Sequence, residues 1–220
     1  VLVPTSGEVR VAGLVPWRDR VRYTRQIGVV FGQRTNLWWD LPLVETYELL
    51  RHVYRVPADR FARNLARFED LLGLGEFLDT PVRQLSLGQR MRADLAAAML
   101  HDPRIVFLDE PTIGLDVLAK ERVRGFVREL NRERGVTIVL TTHDLTDIER
   151  LCQRIVLIAE GRLLFDGDVD TLQTRYGADR ELVVDLAEDY GEVGVDGATV
   201  AERDGRRVTY RFPRAGTTAS

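Results

Sequence analysis

Apolar residues recur along this chain in two rhythms. Short runs at 26–31 (QIGVVF), 105–108 (IVFL), 136–141 (VTIVLT) and 155–159 (IVLIA) have the length and composition of strands. Elsewhere apolar positions return every three or four residues. Leu43, Tyr47, Leu50, Val53 and Tyr54 keep that spacing, as do Phe61, Leu65, Phe68, Leu71 and Leu72 beyond Pro57. This predicts a helical insert of two or three helices over about 43–84. A further helix is predicted from Ser86 to about His101, with Leu87, Met91, Leu95 and Met99 on one face, and others over 117–133 and 145–151. The segment 8–14 (EVRVAGL) alternates well enough for a strand, and 155–165 reads as a hairpin turning at Glu160-Gly161-Arg162. Buried strands separated by amphipathic helices define an α/β core with a largely parallel sheet. After Tyr176 the composition shifts, and 181–185 and 207–212 read as strands of a small separate unit, so the expected division is 1–176 and 177–220.

Composition narrows the function classes without naming one. The 220 residues are 45% hydrophobic and 30% charged, as expected of a folded globular chain. A net charge of -3 leaves no electrostatic footprint for nucleic acid as a partner. Cationic residues are arginine throughout, except for Lys120. The single Cys152 rules out an internal disulfide and fits a reducing compartment. No apolar run reaches the roughly 18 residues of a membrane helix.

Four short motifs carry candidate chemistry, and each has a plainer reading. In RIVFLDEP an apolar strand ends in Asp109 and Glu110, where α/β sheets bind ligands. One carboxylate can hold Mg²⁺ and the next can polarise a water against a γ-phosphate, although a polar turn before Pro111 would look the same. LSLGQR places Ser86, Gly88 and Gln89 at a helix start, where free N–H groups bind phosphate oxygens. Ser86 with Gln89 is equally a capping box that needs no ligand. TTHD places His143 at the end of a strand, where it can donate to a phosphoryl charge, or serve only a helix-start turn. Gln33, just past QIGVVF, can ligate Mg²⁺ or orient water, and Asp116 in IGLD can be no more than a helix N-cap. His52 and His101 are read as structural.

The order of these pieces resembles the ATP-binding domain of ABC transporters, over residues 1 to about 176. The resemblance implies a P-loop NTPase-like α/β core with a helical subdomain inserted at about 43–84 and a small C-terminal β-containing unit. It implies ATP and Mg²⁺ as cofactors. Gln33 then resembles the Q-loop glutamine, and Asp109 the Walker B carboxylate at the metal. Glu110 resembles the general base and His143 the switch histidine. Ser86, Gly88 and Gln89 resemble the signature motif that completes the site of a second ATP-binding subunit, with Asp116 as the D-loop aspartate of a homodimer. The implied partner is a transmembrane permease subunit, and the implied place the cytoplasmic face of the cell membrane. LSLGQR carries Leu87 where the commonest signature has glycine, and with VVFGQRTNLWWDLP it looks like the drug- and antibiotic-exporting ATPases.

One part of that pattern is missing. The sequence contains no G-x-x-x-x-G-K-[S/T] run, and Lys120 lies in VLAKERV without the flanking glycines. Gly73 and Gly75 in LLGLGEF form a glycine-rich turn without a phosphate role. Because 1–3 (VLV) reads as the tail of an element already under way, the expectation is a chain truncated just after the phosphate-binding loop, and truncated at the back. Two rival readings remain: a soluble ABC-type ATPase acting on DNA or ribosomes, and a non-catalytic regulatory domain descended from an ATPase.

Overall fold

The computed structural model describes residues 2–32, 34–176, 180–188, 190–191 and 193–212. Its contacts divide the chain into two compact units, Val1–Leu151 and Cys152–Ser220.

The first unit is built on a three-stranded parallel sheet in the order β1 (Ile27–Phe31), β2 (Ile105–Asp109), β3 (Thr137–Thr141). The register is regular: Ile27 lies beside Ile105 and Ile105 beside Thr137, so Phe31, Asp109 and Thr141 finish level. A short α1 (Arg20–Thr24) precedes β1. The insert consists of α2 (Leu43–Tyr54) and α3 (Ala58–Leu72), followed by a single 3₁₀ turn at Val82–Gln84. Pro42 and Pro57, both extended, start the two helices, and Arg55 and Gly73 end them in the left-handed region. Next come α4 (Leu87–Met99) before β2, α5 (Val117–Arg134) before β3, and α6 (Leu145–Leu151).

Packing explains the periodicity. Val30, Leu108, Leu95 and Met99 are buried where the sheet meets its helices, in one cluster with Leu43, Tyr47, Phe68 and Leu72 of the insert. Phe68 of α3 meets Phe126 of α5 edge to face at 5.7 Å. The buried Tyr47 hydroxyl donates to the Ala93 carbonyl of α4 at 3.0 Å, tying the insert to the core. β1 and α4 approach closely at Gly28, where a Cβ would lie 2.5 Å from the Ala98 carbonyl oxygen. Of the predicted α4 face, Met91, Leu95 and Met99 are buried, whereas Leu87 is 43% exposed at the helix start.

The predicted strand at 8–14 does not form. Val11 and Leu14 instead close a tight turn on each other (2.9 and 3.0 Å) across Ala12 and Gly13, both at positive φ. No strand among the described residues lies alongside to accept a longer ladder, and alternation alone cannot satisfy a lone backbone.

In the second unit, β4 (Ile155–Ala159) and β5 (Arg162–Gly167) form the expected antiparallel hairpin, turning at Glu160 and Gly161 at positive φ. A helix the hydrophobic pattern missed, α7 (Val169–Tyr176), packs on β5. β6 (Arg180–Asp185), β7 (Thr199–Asp204) and β8 (Arg207–Phe212) make a second antiparallel sheet in the order β6-β8-β7. Val208 and Tyr210 are its buried side chains, and the Tyr210 hydroxyl donates to the Val193 carbonyl. The second unit takes in β4, β5 and α7 as well as the residues beyond 176, with β4 paired to β5 and α7 packed on β5.

Candidate ATP-hydrolysing site

The level ends of the parallel strands create the site. Past Phe31 the Gly32 amide donates to the Asp109 carbonyl at 2.6 Å, and past Asp109 the Glu110 amide donates to the Thr141 carbonyl at 3.0 Å. Both carboxylates are thus carried on backbone that is still in the sheet ladder. Glu110 sits at φ 51, a conformation that costs a non-glycine residue about 1–3 kcal/mol and persists only where the surroundings impose it. A cleft of about 440 Å³ opens over this edge, lined by Phe31, Gly32, Arg34, Asp109 and Glu110.

Two contacts organise the carboxylates. Asp109 Oδ1 accepts the Thr141 hydroxyl at 2.5 Å, leaving its other oxygen without a hydrogen-bond partner among the described residues. Glu110 Oε1 meets His143 Nδ1 at 2.8 Å, while the imidazole is otherwise 73% exposed. The hydrogen bond that His143 donates to Glu110, and then the Glu110 charge, raise the His143 pKa above the ordinary imidazole value. A hard carboxylate oxygen beside a cleft suits Mg²⁺, which takes one or two protein ligands and completes its shell with phosphate and water. The residues present therefore fit the metal.

Ser86, Gly88, Gln89 and Asp116 form a separate group. Ser86 is the N-cap of α4 with a complete capping box: its Oγ accepts the Gln89 amide (3.2 Å), and Gln89 Oε1 accepts the Ser86 amide (2.9 Å). The Ser86 hydroxyl proton has no acceptor among the described residues. Asp116 caps α5 by accepting the Ala119 amide at 2.8 Å. The two helix starts touch, since a Cβ on Gly88 would lie 3.3 Å from the Ala119 methyl and one on Gly114 would lie 3.0 Å from Leu87. No hydrogen bond or ion pair joins this group to Asp109, Glu110 or His143 among the described residues. Gln33 lies outside the described residues.

The loop beyond Gln33 is held by Asp94 of α4, whose Oδ1 accepts the Thr35 hydroxyl (3.0 Å) and the Asn36 amide (3.1 Å). Burial pushes the Asp94 carboxyl up to about 6 despite those bonds. Its folded-state pKa is above the unfolded value, so the native state binds more protons between them and stability falls as pH rises from about 4 to about 6. Asp94→Asn keeps the acceptor and removes the buried charge. Above pH 6 it is expected to stabilise the chain by on the order of 3 kcal/mol, with no difference near pH 4. Urea unfolding of both proteins across that range checks this, and an offset independent of pH would refute it.

Sequence reading missed Thr141 and the residues behind the His143 loop. The register of β2 against β3 would have revealed the first, because it places Thr141 beside Asp109.

Comparison with known proteins agrees with this geometry. A family model described as "ABC transporter" matches residues 1–113. The daunorubicin resistance ATP-binding protein DrrA3 of Streptomyces coeruleorubidus is 36% identical over 204 residues, covering 91% of this chain and 61% of that protein. The ABC transporter ATP-binding protein NatA of Bacillus subtilis (strain 168) is 29% identical over 175 residues, covering 78% of this chain and 70% of that one. The methionine import ATP-binding protein MetN 2 of Burkholderia mallei (strain ATCC 23344) is 33% identical over 192 residues, covering 84% of this chain and 48% of that one. Among solved structures, an ATP-binding subunit of an ABC transporter superposes with a TM-score of 0.70 at 25% identity, covering 79% of this chain and 72% of that one. A dimeric ATP-binding cassette in a post-hydrolysis state, bound to ADP and Pi, gives 0.66 at 28% identity, covering 76% and 75%.

The chain belongs to the ABC transporter family and carries its ATPase fold, which works on ATP with Mg²⁺. It spans between about half and 70% of the length of these curated relatives.

Proposed function

We propose that this chain serves in an ATP-binding and ATP-hydrolysing subunit that drives export through a membrane permease. The observation that carries the reading is the level edge of the sheet, with Asp109 open to a metal and Glu110 paired with His143. Asp109 would hold Mg²⁺, which would supply charge neutralisation for the phosphates. Glu110 accepts the proton of the attacking water, and His143 donates toward the charge that develops on the γ-phosphate. Gln33 is assigned to the metal and the water, on the loop between β1 and the helical insert. Ser86, Gly88 and Gln89, grouped with Asp116 apart from the carboxylates, suit a head-to-tail dimer in which each signature completes the other subunit's site. Export is supported by LSLGQR and by 36% identity with a drug-resistance ATPase over 91% of the chain.

Phosphate binding needs backbone amides and a lysine that these residues do not provide. The only lysine, Lys120, is held by Asp144 at 2.8 Å. The 220-residue chain alone is therefore expected not to bind MgATP, whereas a subunit that joins these residues to a phosphate-binding loop is expected to hydrolyse it. Isothermal titration of the chain beside turnover of the subunit tests this, and a micromolar dissociation constant for the chain alone would overturn it.

Among the described residues no helix is long and apolar enough to cross a membrane. Contact with the permease, on the cytoplasmic face, is assigned to the surface around Trp38 and Trp39. Both are substantially exposed (42% and 49%), which sets aside a core role, and Arg90 stacks over Trp39 at 4.7 Å. Truncating both to alanine is expected to abolish co-purification with the permease while hydrolysis by the free subunit stays within about threefold, as surface changes away from the chemistry do. Retained association and transport would refute the assignment.

A further inference from the structure

The His143 loop is fastened from behind by a buried cluster that the proposed chemistry does not use. At its centre is Asp147 of α6, which has no solvent exposure. Its Oδ1 accepts Arg124 Nε of α5 at 2.6 Å, and Arg124 is itself only 5% exposed. Its Oδ2 accepts two hydroxyls: Thr112 at 2.5 Å, from the loop that follows Glu110, and Thr142 at 3.3 Å, the residue before His143. The residue after His143 is held too. Asp144 takes Lys120 at 2.8 Å and Arg124 at 3.5 Å, and its amide donates to the Thr142 hydroxyl. Both neighbours of His143 are thus fixed to α5 and α6, while the imidazole reaches out to Glu110.

A buried ion pair is a poor device for stability, because desolvating two charges offsets their attraction. What this one provides is direction. A single carboxylate joins the loop carrying Glu110 to the loop carrying His143, through two short hydroxyl side chains that tolerate little change in length. We propose that Asp147 and Arg124 are positioning residues, which lock the 111–116 loop to the 142–144 loop and so hold His143 against Glu110. The proposal rests on the reading of Glu110 and His143 as the hydrolytic pair.

The charged groups near the His143 ring are Glu110, Asp144 and Lys120. Its titration therefore reports the Glu110 contact and can be followed by ¹H–¹⁵N NMR on the 220-residue chain without nucleotide. His101, stacked on Tyr54 at 3.9 Å and bonded to the Ile27 carbonyl, is an internal reference for an intact fold. Glu110→Gln should bring the His143 pKa down toward the ordinary imidazole value. The double variant Thr112→Val, Thr142→Val removes only the two hydroxyls and should produce at least about half of that fall, with His101 unmoved. Asp147→Asn should do the same wherever it folds, and Asp147→Glu should not restore the wild-type value. If Glu110→Gln lowers the His143 pKa but the threonine variant leaves it in place, the positioning role is overturned and the hydrolytic pair stands. If Glu110→Gln itself has no effect, the pair is not formed in solution and both readings fall.

Discussion

Glu110→Gln is expected to reduce ATP turnover by the full-length subunit about 10²- to 10⁴-fold while leaving MgATP binding close to wild type. The amide preserves the length and shape of the side chain but cannot take a proton from water. Asp109, which holds the metal in this reading, is untouched, and so is its bond from Thr141. Binding that survives without turnover should trap the ATP-loaded dimer, visible as a nucleotide-dependent shift on sizing chromatography. Asp109→Asn should behave differently, weakening the metal site and raising the Mg²⁺ requirement. His143→Ala should lower turnover by removing a donor, and should free Glu110 Oε1. Near wild-type turnover in Glu110→Gln would place the base elsewhere.

The carboxylate pair was legible because an apolar strand that stops abruptly in two acids places those acids at a predictable edge. His143 was legible for the same reason, at the end of the neighbouring strand. The sheet and the helical insert followed from local periodicity, and the helix starts followed from Ser86 and Asp116, whose caps depend on residues three positions away. What depends on distant partners was not legible. Nothing near Asp147 in the sequence indicates that it will meet Thr112 and Arg124, and nothing in RIVFLDEP indicates the positive φ of Glu110. β7 escaped because its side chains are exposed throughout, so no apolar alternation marks it. The segment at 8–14 erred in the other direction: it has the alternation but no neighbouring strand. Ser86 shows that a structural and a functional reading need not compete, since the capping box uses its oxygen lone pair and leaves the hydroxyl proton available.

Gly32→Ala is expected to cost about 10²-fold in turnover per folded molecule, although residue 32 carries no chemistry of its own. The glycine lies where β1 runs closest to the carboxylate pair. A methyl group there would run into the Glu110 carbonyl oxygen and lie 2.9 Å from that of Asp109. Both obstacles are backbone, so no flexible side chain can swing aside. Either the chain at the end of β1 retreats from the cleft, or Asp109 and Glu110 are pushed off the ladder bonds that carry them. Each outcome displaces groups that must meet one substrate, and misplacement by about 1 Å is enough for a loss of that size. Gly28→Ala is the control. Its added methyl would meet the Ala98 carbonyl oxygen at 2.5 Å, a comparable collision within β1 itself but against α4, away from the cleft. Gly28→Ala should lower the melting temperature and leave turnover per folded molecule near wild type, whereas Gly32→Ala should lose turnover even where its melting temperature is largely preserved. Thermal melts and single-turnover rates on the two full-length variants separate these effects. Equal turnover in both would mean that the close approach of β1 to Glu110 serves packing alone.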